Sequence, residues 1–219
     1  MKHFIAIILG LAAIINLSAC KKDRLTANGN IVSEIREVPQ FTGINSSGAT
    51  PVKVNYGTNF KVKVKGSSNL VPQFTTRVAD GVLHLSFGNV NVHRDDIEVE
   101  LTMPTINSIL VSGSGEVDIR GDFPALPNLT VSLSGSAEVE AQNSMQIENV
   151  KVEISGSGEV DLKDVLVSNA EANISGSGEV KFRVQNKLKA KISGSGKVYY
   201  QGHPLIQQEI SGSGKLVQF

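Results

Sequence analysis

Ser155-Gly156-Ser157-Gly158-Glu159-Val160 is one of six copies of the same phrase in this chain. SGSGEV begins at Ser112, SGSAEV at Ser134, SGSGEV again at Ser155 and Ser175, SGSGKV at Ser193 and SGSGKL at Ser211. The start-to-start spacings are 22, 21, 20, 18 and 18 residues. Such a period marks a solenoid, in which each repeat is one supersecondary unit stacked on the next. Aligning the copies puts apolar residues in register. Val111, Leu133, Ile154, Ile174, Ile192 and Ile210 stand immediately before the motif, and Ile109, Val131, Val152, Ala172, Ala190 and Gln208 two residues earlier. After it come Val117, Val139, Val160, Val180, Val198 and Leu216, then Ile119, Ala141, Leu162, Phe182, Tyr200 and Gln218. Spacing by two means strands with one buried face, so each column is an apolar ladder through the core.

Each rung divides into a strand before the motif, a strand after it, and a third segment such as Val165–Val167 or Leu188. Twenty-residue rungs at about 3.3 Å per residue give a perimeter near 65 Å, enough for a closed two- or three-sided coil. The expected fold is all-β, a right-handed parallel β-helix-like solenoid, the hand following from the chirality of parallel crossovers. Corners packed backbone on backbone leave no room for a Cβ, which accounts for Gly113, Gly115, Gly156, Gly158, Gly176, Gly178, Gly194, Gly196, Gly212 and Gly214. The last rung turns polar at Gln208 and Gln218, as an exposed end requires.

Upstream, a degenerate seventh copy runs Ser47-Gly48-Ala49-Thr50-Pro51-Val52-Lys53-Val54. The 65 residues from Ser47 to Ser112 leave room for about three rungs, or for one rung plus a hairpin excursion. Asn59 to Val64 alternates with Phe60, Val62 and Val64 on one face, and Ala79-Asp80-Gly81 between two apolar runs signals a hairpin turn. Ile97 to Leu101 alternates again before Pro104. Residues 31–110 therefore read as an atypical, hairpin-containing N-terminal cap on the 111–219 repeats, within one domain spanning 31–219.

The chain opens Met1-Lys2-His3, then runs from Phe4 to Ile15 without a polar side chain before Asn16-Leu17-Ser18-Ala19-Cys20. A short positive start, a twelve-residue apolar core and small residues before a cut describe a secretory signal peptide over residues 1–19. Leu17-Ser18-Ala19-Cys20 resembles the bacterial lipoprotein box, which implies lipid attachment at Cys20, the only cysteine. Residues 20–30 would then form a tether. The Cys20-Lys21-Lys22-Asp23 start resembles lipoproteins of Bacteroidetes-type bacteria, in which a charged run can direct surface export. Removing residues 1–19 takes away only Lys2 among the charged residues, leaving 20 basic against 21 acidic. That balance gives no basic excess for nucleic acid, and the acyl group would be the only membrane contact.

The Gly-Ser runs fit no catalytic or phosphate motif. A P-loop needs Ser or Thr after Gly-Lys, but Val198 follows Gly196-Lys197 and Leu216 follows Gly214-Lys215. No serine has glycine two before and two after it, as a nucleophile elbow requires. The calcium nonapeptide pattern needs an Asp where the buried Val117 column stands. One constellation remains: Glu116/Asp118, Glu138/Glu140 and Glu159/Asp161 should stack as a double acidic stripe. It either splays into water or holds a cation such as Ca²⁺. The outward serine ladders, Ser112 to Ser211 and Ser114 to Ser213, read as structural hydrogen bonding, with a ligand-facing role as the alternative.

Phe41-Thr42-Gly43-Ile44-Asn45, followed by serial SGSGEV and SGSGKV motifs behind a lipoprotein-type leader, resembles the head GIN family of auto-transporter adhesins. The resemblance covers about Phe41 to Phe219 and implies a surface-anchored β-solenoid with an adhesive role, though it supplies no catalytic or ligand residues. The expected function is a lipid-anchored extracytoplasmic binding or adhesion module without catalysis. It would sit on the outer membrane, at the cell surface rather than in the periplasm, with a glycan or protein as ligand. Two alternatives stand beside it: a periplasmic structural or envelope-stress component, and a β-helix enzyme acting on polysaccharides.

Overall fold

Ser47 pairs with Ser112 and Gly48 with Gly113, so the degenerate copy is a true rung lying directly against the first full one. The structure, a computed structural model, describes residues 24–142 and 145–219. The leader and Cys20 lie outside the described residues. The cap contains β1 (Ile31–Arg36), β2 (Gly43–Gly48), β3 (Val52–Tyr56), β4 (Lys61–Ser67), β5 (Thr75–Ala79), β6 (Val82–Ser86) and β7 (Glu98–Met103). The repeats contain β8 (Ser108–Gly113), β9 (Glu116–Arg120), β10 (Leu126–Gly135), β11 (Glu138–Ala141), β12 (Gln146–Gly156), β13 (Glu159–Gly176), β14 (Glu179–Gly194), β15 (Lys197–Gln201), β16 (Leu205–Gly212) and β17 (Lys215–Gln218). Among the described residues the one helical element is a 3₁₀ turn at Val71–Gln73.

From β8 onward the strands pair in parallel, rung on rung, as the columns predict. Leu83, Ile44, Ile109, Val131, Val152, Ala172 and Ala190 form one continuous buried column, and Val99, Val52, Val117, Val139, Val160, Val180 and Val198 another. The third side is carried by Leu126, Ile147, Val167 and Val184, which follow one another in register. Leu188 does not belong to it. It stacks on Ala170, Val150 and Leu129 at the start of the strand leading into the motif, because β13 and β14 run on through the bend between the two sides.

The 65-residue gap holds one rung plus the excursion, in an order the spacing does not reveal. β2 is flanked by β6 on one side and β8 on the other, and β3 by β7 and β9. The rung made by β6 and β7 thus lies outside the one made by β2 and β3, although it comes later in the chain. Antiparallel strands close this end: β4 on β7, β1 on β4, and β5 on β6. The β5–β6 turn places Asp80 (φ 51°) and Gly81 (φ 73°) in the left-handed region, the geometry an Asp-Gly hairpin favours. Arg36 donates to the carbonyls of Val71 (2.6 Å) and Phe74 (2.7 Å), holding the 3₁₀ turn against β1.

The stretch from Leu25 to Asn30, expected as part of a tether, is pinned to the cap. Leu25 bridges to Val92, Asn69 donates to the Thr26 carbonyl at 2.8 Å, Gly29 N–H donates to Ser67 Oγ at 2.9 Å, and Ser68 N–H donates to the Asn30 carbonyl at 2.8 Å. Polar side chains there satisfy loop backbone groups that would otherwise be left to water.

Candidate functional site

Two outward surfaces carry repeated polar side chains, and the motif positions both. At each corner the first glycine takes a positive φ, +126° at Gly156, where a Cβ would lie 2.3 Å from the carbonyl oxygen of Gly135 one rung away. No side chain fits there. The second glycine needs only space: Ala137 takes its place in the SGSAEV copy and is buried. The ladder continues through the bend, with Ser157 N–H donating to the Gly135 carbonyl at 2.8 Å and Glu159 N–H to the Ala137 carbonyl at 2.9 Å.

Before the bend, β-strand alternation turns every other side chain outward. Ser47, Ser112, Ser134, Ser155, Ser175, Ser193 and Ser211 form one column. Beside it run Asn45, Leu110, Ser132, Glu153, Asn173, Lys191 and Glu209. From Asn45 and Ser47 to Lys191 and Ser193 they line an open groove of about 700 Å³ that crosses the rungs. The strands that carry successive serines lie about 4.8 Å apart by the parallel spacing. Ser112 Oγ donates to Ser47 Oγ at 3.2 Å, while the other serines of the column remain open to solvent. The groove presents a row of hydroxyls, each able to donate and to accept, with the exposed Leu110 as an apolar part of its wall. The sequence does not mark the second outward column: Asn45, Asn173 and Lys191 belong to no motif, and only the register reveals them as one column.

After the bend, the acidic stripe forms as expected. Glu116, Glu138 and Glu159 are in register, as are Asp118, Glu140 and Asp161. They are not equally outward. The side chains of Asp118 and Asp161 are only 8% exposed, because neighbouring long side chains fold over them. Arg120 pairs with Asp118, Lys163 Nζ lies 2.8 Å from Asp161 Oδ2, and Lys181 Nζ lies 2.6 Å from Glu159 and 3.2 Å from Asp161. Gln142 donates to Glu140 at 3.2 Å. Among the described residues the chain's own cations pair with Asp118, Glu159 and Asp161, and no salt bridge reaches Glu116, Glu138 or Glu140. Among the described residues no group of three or more His, Cys, Asp or Glu is placed to hold a metal ion.

These pairings set the proton affinities. Burial pushes Asp161 up, but hydrogen bonds from the Lys163 side chain and backbone and from Lys181 outweigh it, and its carboxyl is held below the usual range. The Lys181 ammonium is held well above the usual lysine range by its bond to Glu159 and, against partial burial, by Asp161. Among the described residues Glu138 has no cation in salt-bridge contact. Burial and then the charges of Glu159, Glu116 and Glu140 push it up. The ion pairs are dispersed: Arg120 and Lys163 each turn back on an acid of their own strand, while Lys181 and Lys197 reach to the neighbouring rung.

The family model described as "Putative auto-transporter adhesin, head GIN domain" matches residues 40–204. No functionally curated protein matches the chain. Among solved structures, a "putative adhesin" of Bacteroides fragilis superposes with a TM-score of 0.71 at 19% identity, over 89% of this chain and 100% of that one. A "putative adhesin" of Parabacteroides merdae gives a TM-score of 0.66 at 18% identity, over 90% and 99% of the two chains. A "putative lipid binding protein" of Parabacteroides distasonis gives 0.61 at 21% identity, over 90% and 99%. At these identities the likeness is one of fold.

Proposed function

Since the chain belongs to the "Putative auto-transporter adhesin, head GIN domain" family, we propose that it is an adhesion module of the cell envelope, held by lipid on Cys20 and engaging its ligand along the serine-lined groove. The observation that carries this reading is the groove itself: identical hydroxyls repeated from Ser47 to Ser193 across a rigid, fully hydrogen-bonded frame. An array of equivalent weak contacts suits a repeating polymer, a glycan above all, because each added contact is made at high effective concentration. The module works without catalysis. Its charged pairs are spread along ladders, whereas hydrolysis of a glycosidic bond calls for two carboxyl groups flanking one bond, with one of them held protonated.

Two measurements test the reading. Protease treatment of intact cells digests the repeat region if the domain faces outward, and leaves it intact if it faces the periplasm. Purified protein should retain glycans or matrix proteins on an array, and Ser134→Tyr/Ser155→Tyr, which fills the groove while leaving the core columns alone, should abolish that retention. Binding unchanged by the double variant sinks the groove as the ligand surface; release of reducing ends from a bound glycan sinks the non-catalytic reading.

A further inference from the structure

Among the described residues, β16 and β17 are hydrogen-bonded along one edge only, to β14 and β15. Their other edge is a row of open backbone donors and acceptors. The core columns end there uncovered: Ile206 is 42% exposed and Ile210 39%, whereas Leu188 and Ile192, on which they stack, are fully buried. Leu205 at 78% and Phe219 at 54% widen the apolar rim. Exposed edges are normally blunted by charge, proline or a bulge. β16, Leu-Ile-Gln-Gln-Glu-Ile-Ser-Gly, has no proline, and Glu209 is its one charge.

The sequence of β16 is complementary to itself. Antiparallel pairing of two copies centred on Gln208 sets Ile206 of each opposite Ile210 of the other, Gln207 opposite Glu209, and Gln208 opposite itself. Apolar side chains then meet apolar ones on the core face, and the two glutamates stay apart. Moving the centre to Glu209 places glutamate on glutamate and Ile210 on Gln208. Moving it to Gln207 places Ile206 on Gln208 and Leu205 on Glu209. Like charges directly opposite are unfavourable and register follows the apolar face, so the Gln208-centred arrangement wins.

We infer that this last rung is a dimerisation edge, on which a second copy of the chain docks about a two-fold axis through Gln208. Such an interface uses the same patch on both copies and therefore closes on itself as a pair. The pairing leaves the serine groove of each copy facing outward and gives two grooves per particle.

The full-length protein tests this directly. Residues paired across an antiparallel two-fold have Cα atoms about 4.5–5.5 Å apart, within reach of a disulfide. Gln208→Cys should therefore cross-link to a dimer on oxidation, while wild type, with Cys20 alone, and Lys187→Cys, on the inner neighbour strand, should not. Light scattering should give twice the monomer mass for wild type, halved in Ile206→Lys/Ile210→Lys. These two side chains are already part-exposed, so the double variant should keep its fold. A wild-type mass of one chain overturns the proposal, as does a dimer that survives the double variant or fails to cross-link through position 208.

Discussion

The Lys181 ammonium lies 3.2 Å from the carboxylate of Asp161 one rung away, and that contact marks where the acidic stripe changes sign. On one side of it Glu116, Glu138 and Glu159 follow one another; on the other, Lys197 stands one rung beyond Glu179 and pairs with it at 2.8 Å.

Lys181→Met should lower stability by about 1–2 kcal/mol, since it removes one of two cations from a nearly buried carboxylate. Because the folded state holds Asp161 below its ordinary range, the stability tied to its ionisation is complete above the unfolded value and is lost as pH falls through the folded one. Thermal melts in acid should show that decline, and Asp161→Asn should flatten it while lowering stability at neutral pH.

Glu138 has the opposite sign. Its folded affinity for a proton is raised, so its ionisation opposes folding as pH rises. Glu138→Gln should raise stability at neutral pH by about 0.2–1 kcal/mol, and the gain should fade in acid where the carboxyl is protonated in both states. Denaturant titrations at the two pH values check this.

Three positions separate strain from crowding at the corners. Gly156→Ala meets both a positive φ and a carbonyl at 2.3 Å, and should cost about 3 kcal/mol or more. Gly48→Ala meets a positive φ (+106°) but nothing within 4 Å, so its cost should stay near 1–2 kcal/mol. Ala137→Gly should cost only about 0.5–1 kcal/mol, from backbone entropy. Equal losses at Gly156 and Gly48 would refute the close stacking of the corners.

Ser46 stands in the column of Leu85, Val111 and Leu133, buried, with no hydrogen-bond partner for its Oγ among the described residues. Ser46→Val should stabilise by about 1 kcal/mol, because it removes an unsatisfied hydroxyl and extends an apolar ladder. A higher melting temperature with unchanged secondary structure is the expected result.

The repeats were legible because a column is a local pattern copied at a fixed period: Val111 to Ile192 can be aligned without knowing where the chain goes between copies. The cap was legible strand by strand. Val62, Val64 and the Asp80-Gly81 turn read correctly, yet nothing local says that β6 and β7 pair outside β2 and β3, since consecutive rungs are expected to be neighbours. Leu188 was misplaced because a strand continuing through a bend leaves no turn residue to mark the corner. The shielding of Asp118 and Asp161 depends on Arg120 and Lys163 folding back from two residues along the same strand, and on Lys181 reaching Asp161 from the next rung, choices of side-chain rotamer that no motif marks. The groove was only half visible: its serine column is in the motif, while Asn45, Asn173 and Lys191 become neighbours through register alone.

The order of rungs in the cap has a consequence for how such domains change over evolutionary time. The β6–β7 rung is threaded back beneath β2 and β3 and sealed by β1, β4 and β5, so duplicating or deleting a unit there would strand unmatched edges. Downstream, every rung meets its neighbours through the same Ser-Gly register, and a duplicated twenty-residue segment would slot into the stack with its backbone bonds already matched. Length is therefore free to drift at one end while the other is fixed, and relatives should differ in how many rungs they carry far more than in how they begin.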